Sequence, residues 1–314
     1  MKITFLGTGT SSGVPVPTCQ CEVCQSRNPC DRRLRASVLV EQGDTRILID
    51  CGPDFRYQAL RADIRKISAV FLTHIHFDHS AGLDDLRIYS YETPLPFYAE
   101  PRVARVLLEK YDYVFTKPYP GAPHIQLNTI LPEGEAVLNP LELPETDYGF
   151  TIDRPLSATT GHAPAVDIPE PAEVRSHVVT PLQQVTIGRG ADALTVVPIR
   201  ILHGQLPILG FRIGALAYLT DCTFIPDSEW PKLQGLDTLI IDALRWEPHR
   251  THFSVDQALE VVTRLQPRQT FFTHMSHNIG FHEEAEKKLP SNVHFAYDTL
   301  SFDIQTLLTK THYL

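Results

Sequence analysis

A chain of 314 residues with 43% hydrophobic, 21% charged and 9% aromatic residues has the make-up of a folded globular protein with a large core, which excludes the disordered and fibrous classes. Its formal net charge of −9 argues against a protein that grips nucleic acid through a general basic field, because backbone binding needs clustered Lys and Arg. The first apolar stretch is too short for a signal peptide and no later run approaches membrane-spanning length, so a cytoplasmic protein with no membrane partner is expected.

In chain order, Ile3-Thr4-Phe5-Leu6 reads as a strand ending in the glycine-rich stretch Gly7 to Pro15. No Lys-Ser/Thr pair and no helical pattern follow, so the glycines are read as a tight turn and not as a phosphate loop. Cys19, Cys21 and Cys24 then place three of the 6 cysteines within six residues. That crowding suits a metal knuckle better than a disulfide framework, and it lacks a fourth ligand, for which Cys30 is one candidate. Ser37–Val40 and Arg46–Ile49 flank Gly43-Asp44 as a hairpin. Asp50 and Asp54 close its second strand, placed either to orient ligand histidines or to cap a helix beginning near Phe55; Cys51 belongs in the core.

The apolar run Ala69–Leu72 reads as a buried strand leading directly into Thr73-His74-Ile75-His76-Phe77-Asp78-His79. Three histidines and an aspartate within six residues exceed what one tetrahedral ion draws from a single loop, so two metals are expected there. Arg102–Tyr111 sets Val103, Val106, Leu107 and Tyr111 on one helical face. Proline then interrupts the chain repeatedly between 117 and 181, and the part near 153–181 reads as an excursion within one domain spanning 1–314, with His162 and His177 at the surface. Ala193–Ile199 and Ile201–His203 are strands, the latter ending in His203. Ala217–Leu219 leads to Asp221, and an Asp can bridge two cations through separate oxygens. Thr238–Leu244 is a buried strand; Ser254 and Gln257 form a capping box for a helix carrying Val255, Ala258, Leu259, Val262 and Leu265, with His252 just before it. Thr270–Thr273 delivers His274. His282 heads a short charged helix and is expected to face solvent, and Val293–Ala296 and Leu300–Ile304 are expected to close the second sheet.

His74-x-His76-x-Asp78-His79 resembles the signature of the metallo-β-lactamase superfamily. Gly7-Thr8-Gly9-Thr10-x-x-Gly13-Val14-Pro15 ahead of a Cys cluster, together with Thr273-His274-Met275-Ser276-His277, resembles its PhnP-type members, and the likeness covers essentially the whole chain. The resemblance implies an α/β fold, a four-layer αββα sandwich of two mixed sheets with outer helices. It implies His74, His76 and His203 on one divalent metal, Asp78, His79 and His274 on a second, and Asp221 bridging them. A structural Zn²⁺ would sit on Cys19, Cys21, Cys24 and His277, leaving Cys30 as the alternative fourth ligand. Mn²⁺ or Zn²⁺ suits the mixed imidazole and carboxylate catalytic set.

The activity implied is a phosphodiesterase that opens small five-membered cyclic phosphates, notably phosphoribosyl 1,2-cyclic phosphate, by attack of a water activated between the metals. His252 matches the family's proposed general acid, Asp78 can share the proton work, and the competing role for His252 is capping or phosphate contact. Two alternatives stand beside this. One is tRNA 3′-end processing, which the acidic balance and Glu170 and Glu173 in the excursion disfavour; the other is a non-catalytic carrier, whose members lose ligands that this chain keeps. The expected partner is a small phosphodiester and not nucleic acid, and the sequence leaves room for a homodimer.

Overall fold

A computed structural model describes residues 1–116, 121–135 and 182–304. The first half opens with β1 (Lys2–Gly7), a one-turn helix α1 (Glu22–Gln25) and the hairpin β2 (Ser37–Gln42) and β3 (Thr45–Ile49). It continues with α2 (Phe55–Arg61), β4 (Ala69–Phe71), α3 (Phe77–Ser80), β5 (Leu95–Ala99), α4 (Pro101–Lys110), α5 (Asp112–Phe115) and β6 (Ile125–Thr129). The second half runs β7 (Val185–Ile187), β8 (Leu194–His203), β9 (Leu206–Ile213), β10 (Leu216–Leu219), β11 (Thr238–Asp242), α6 (Val255–Leu265), β12 (Gln269–Thr273), α7 (His282–Glu286), β13 (Val293–Phe295) and β14 (Ser301–Asp303). The Pro-rich excursion near 153–181, with His162 and His177, lies outside the described residues.

Among the described residues the strands form two mixed sheets, in the orders β14-β1-β2-β3-β4-β5-β6 and β13-β12-β11-β10-β9-β8-β7. Each sheet begins antiparallel and becomes parallel: β3 pairs β4 parallel in one, β10 pairs β11 parallel in the other. Period-2 alternation explains the layers. Ile3, Phe5, Val38, Val40, Ile47, Ile49 and Phe71 turn inward against Phe211, Tyr218, Ile240 and Phe271, whereas their neighbours Leu6, Leu39, Leu48 and Val70 turn outward under α2 and α4. On the other side Ile199, Ile201, Leu239 and Ile241 pack under α6, whose Val255, Ala258, Val262 and Leu265 form its buried stripe. The sandwich is therefore helix, sheet, sheet, helix, as the family resemblance implies. The capping box of α6 is present in both directions, Ser254 Oγ accepting from Gln257 N–H and Gln257 Oε1 from Ser254 N–H. No helix among the described residues is long and apolar enough to cross a membrane.

Two expectations are corrected. Val293–Phe295 does close the second sheet, but β14 pairs antiparallel with β1 in the first. The free edge of β1 takes it because Phe302 then stacks on Phe271 at 4.6 Å and seals the inner core; alternation alone could not say which sheet that apolar face would close. His282 does not face solvent: only 1% of it is exposed. Its backbone N–H donates to Asp31 Oδ1 at 2.7 Å, and its Nδ1 lies 3.3 Å from the buried Arg33 guanidinium. Burial, with Arg33 adding to it, pushes the imidazole down to about 3.

A histidine held neutral in the fold but free to take a proton when unfolded makes folding less favourable as pH falls from about 6.5 towards 3. We therefore expect His282→Gln to flatten the acid limb of a stability-against-pH curve over that window relative to the parent protein, as read from urea midpoints. Parallel curves would show that His282 does not titrate on unfolding.

Candidate metal centre and flanking cysteine knuckle

The site is built where strands end. In the first sheet β3 leads to Asp50 and β4 opens into His74, His76, Asp78 and His79; in the second, β8 ends in His203, β10 leads to Asp221, β11 ends in Asp242 and β12 leads to His274. Carboxyl ends of parallel strands are where open α/β sheets place their ligands. Three of these residues, Asp50, Asp221 and His274, hold positive φ angles of 63°, 52° and 61°. A left-handed backbone costs roughly 1 kcal/mol or more for a non-glycine residue and persists where the surroundings fix it. Gly52 makes the first-sheet turn possible, since a Cβ there would stand 1.9 Å from the Asp78 carbonyl oxygen.

The structure brings His74, His76, His203 and Asp221 together as one donor group and Asp78, His79, Asp221 and His274 as another, sharing Asp221. Asp221 Oδ1 lies 3.2 Å from His79 Nε2 and 3.1 Å from His274 Nε2, while Oδ2 lies 3.7 Å from His74 Nε2 and 3.9 Å from His203 Nε2. Asp78 Oδ2 completes the second group at 3.2 Å from His79 Nε2 and 3.5 Å from His274 Nε2. His76 turns its Nδ1 to within 2.9 Å of His74 Nε2.

These separations fit a shared cation better than direct bonding. The buried Nε2 atoms of His79 and His274 make no hydrogen bond despite their carboxylate neighbours, and ligands at zinc-like distances stand about 3.3 Å apart around a tetrahedral ion. Charge tells the same story. Burial alone would depress His79, yet the Asp221, Asp78 and Asp50 carboxylates raise it well above its ordinary value. Burial would raise Asp221, yet His274 and His79 hold it well below the usual carboxylate range. A proton on His79 thus stands where positive charge is wanted. Burial also lowers His203 to about 4 and holds His74 well below its ordinary value, leaving both as neutral donors.

A second ring of bonds aims these ligands. Asp50 Oδ2 accepts from His79 Nδ1 at 2.7 Å, and its carboxylate is held by Thr73 N–H and Oγ1. Of the two roles open to Asp50, orientation of a ligand histidine is the one observed. Asp54 does neither: it stands at the N-cap position of α2 without capping it, and its carboxylate instead accepts from Arg35. The Thr251 carbonyl accepts from His203 Nδ1 at 2.7 Å. His252 stacks over His274 at 4.8 Å and meets His203 at 4.7 Å between ring centroids, so it overhangs both donor groups. Its Nδ1 bonds Asp242 Oδ2 at 2.9 Å. Burial lowers His252, but Asp242 overrides this and raises it to about 9. Sequence reasoning missed Asp242; the available signal was its place at the end of an apolar strand, the same setting as Asp50 and Asp221.

The cysteine knuckle lies on the flank. Sγ of Cys19, Cys21 and Cys24 stand 3.4, 3.3 and 3.4 Å from His277 Nδ1, close to the roughly 3.5 Å edge expected for sulfur and nitrogen on one tetrahedral zinc. Cys30 is not brought into this group. The turn at Gly9 links knuckle and centre: Met275 N–H donates to Thr8 O and Thr10 N–H donates to Met275 O, gripping the first of the two residues between His274 and His277. A Cβ on Gly9 would stand 2.9 Å from Arg33 Cβ, so the turn has no room for a side chain. If the knuckle holds zinc, Cys21→Ala and His277→Ala should each remove one zinc equivalent by elemental analysis and lower the melting temperature, whereas Cys30→Ala should change neither. Zinc loss in Cys30→Ala without loss in His277→Ala would refute this assignment.

Comparison with known proteins agrees with this architecture. A β-lactamase superfamily domain model matches residues 45–152 and 145–275. A crystal structure of a diphosphatase from the PhnP family superposes with a TM-score of 0.74 at 33% identity, covering 98% of this chain and 99% of that one. An octanoyltransferase of Porphyromonas gingivalis is 36% identical over 303 residues, 96% of this chain but 51% of the relative, so the chain spans about half the length of that protein. A ribonuclease Z of a Cyanothece species is 29% identical over 296 residues, covering 88% of this chain and 84% of the relative.

Proposed function

The chain belongs to the β-lactamase superfamily and resembles its PhnP type, and from that premise we propose that it is a dinuclear metal-dependent phosphodiesterase acting on a small phosphodiester. A five-membered cyclic phosphate such as phosphoribosyl 1,2-cyclic phosphate is the substrate the family resemblance favours. The observation that carries the reading is the pair of donor groups joined through the two oxygens of Asp221, with the His252–Asp242 pair directly above them. Both sheets supply ligands to this one centre, which supports treating residues 1–314 as a single unit.

His74, His76, His203 and Asp221 would hold one divalent ion and Asp78, His79, His274 and Asp221 the other. When bound, Mn²⁺ or Zn²⁺ in such a pair supplies an activated water and neutralises phosphoryl charge. The protein's own part is then positional. Asp50 and the Thr251 carbonyl fix the ring planes of His79 and His203, so the donor nitrogens are aimed before any ion arrives. Asp242 occupies Nδ1 of His252, leaves Nε2 to carry the transferable proton and favours the cationic form at neutral pH. That proton is available to the departing oxygen, which would otherwise leave as a basic alkoxide.

Two neighbouring readings make different demands. The PhnP-family diphosphatase favours a second one, cleavage of a phosphoanhydride, whose leaving phosphate is far less basic than an alkoxide. The ribonuclease Z relatives suggest a polynucleotide, which the net charge of −9 does not favour. The test is His252→Ala with metal content held equal. A cyclic ribosyl phosphate should slow by roughly 10²–10⁴-fold and a p-nitrophenyl diester much less. Equal losses on both would remove His252 from the acid role and turn attention to Asp78, and turnover of diphosphates alone would favour the anhydride reading.

A further inference from the structure

A cavity of about 120 Å³ opens beside the centre. His74, Ile75 and His76 line it together with Leu206 and with Val103 and Val106 of α4. It thus shares His74 and His76 with the first donor group. Among the described residues the only cation in its lining is Arg102, and that guanidinium is already engaged: it lies 3.3 Å from Glu100 Oε1 and donates to the Pro207 carbonyl at the start of β9. Arg102 therefore ties α4 to β9 and frames the cavity, and does not offer its charge to an anion. The remaining surface is aliphatic, and the volume is near the roughly 150 Å³ of an apolar cavity able to hold benzene.

Because His74 and His76 belong both to the cavity and to the first donor group, a phosphoryl group seated at the centre would have this apolar surface beside it. A polyol placed there would surrender its water without gaining hydrogen bonds, at a cost of roughly 1–3 kcal/mol per unpaired hydroxyl. An alkyl or aryl group would gain by burial. Resting on the phosphodiesterase reading above, we propose that this cavity is the subsite for an apolar substituent on the substrate phosphate. The substrate class is then small phosphodiesters carrying a branched-alkyl or aryl-sized group next to phosphorus, in place of the ribosyl cyclic phosphate that the family resemblance favours. Val106 from α4 and Leu206 from β9 are its specificity-determining residues.

The test holds the leaving group fixed. Phenyl p-nitrophenyl phosphate and methyl p-nitrophenyl phosphate release the same phenolate and differ only in the substituent the cavity would take. The parent protein should prefer the phenyl diester by roughly tenfold or more in kcat/KM, mainly through KM. Val106→Asn and Leu206→Asn should each shrink that ratio towards one, the pair guarding against a single misfolded variant. Calorimetric Kd values for phenylphosphonate and methylphosphonate on the metal-loaded protein give the same comparison without turnover. If neither diester is cleaved, the phosphodiesterase reading fails while the phosphonate ratio still decides the subsite. Equal phosphonate affinities, including no measurable binding of either, or a ratio untouched in both folded variants, would overturn the proposal.

Discussion

Everything at this centre depends on one buried carboxylate, Asp221, standing with one oxygen towards His79 and His274 and the other towards His74 and His203. Such an arrangement is costly without a counter-charge, because a desolvated carboxylate must be paired or neutralised. The fold accepts that cost, together with the left-handed backbone at Asp221, by bringing the ends of two sheets together around it. Neither sheet alone supplies a complete donor group: the first lacks Asp221, His203 and His274, the second lacks the whole His74 to His79 loop.

The second dependence is on shared loops. Met275 lies between a centre ligand and a knuckle ligand and is gripped on both its N–H and its carbonyl by the turn through Thr8 and Thr10. The loop before α6 holds the His203 ring through the Thr251 carbonyl and presents His252 one residue later, so one short segment sets the placement of both imidazoles. The capping box at Ser254 fixes where that segment ends.

Much of this was legible in the chain because the ligands follow apolar strands, a pattern that marks both the element and its useful end. His74 stood out by that logic together with its neighbouring ligand types, whereas His203, Asp221 and His274 gained their meaning jointly, from the order of positions that the family resemblance demands. Asp242 obeys the same logic and was passed over, since a lone carboxylate after a strand has no neighbouring ligand type to distinguish it. His282 looked solvent-facing because its helix is charged. Its burial follows from Arg33 and Asp31, residues about 250 positions away that no local pattern connects to it. Strand β14 looked like a partner of β13, and only the pairing with β1 and the stacking on Phe271 decide its sheet.

The claim that Asp221 unites two metal sites is tested most directly by counting metals. Elemental analysis of the purified parent protein should find three divalent ions per chain, two at the centre and one zinc on the knuckle. Asp221→Ala should retain the knuckle zinc and lose both others together, because each donor group is missing the same residue. An Asp221→Ala protein that keeps two ions besides the knuckle zinc would contradict the account.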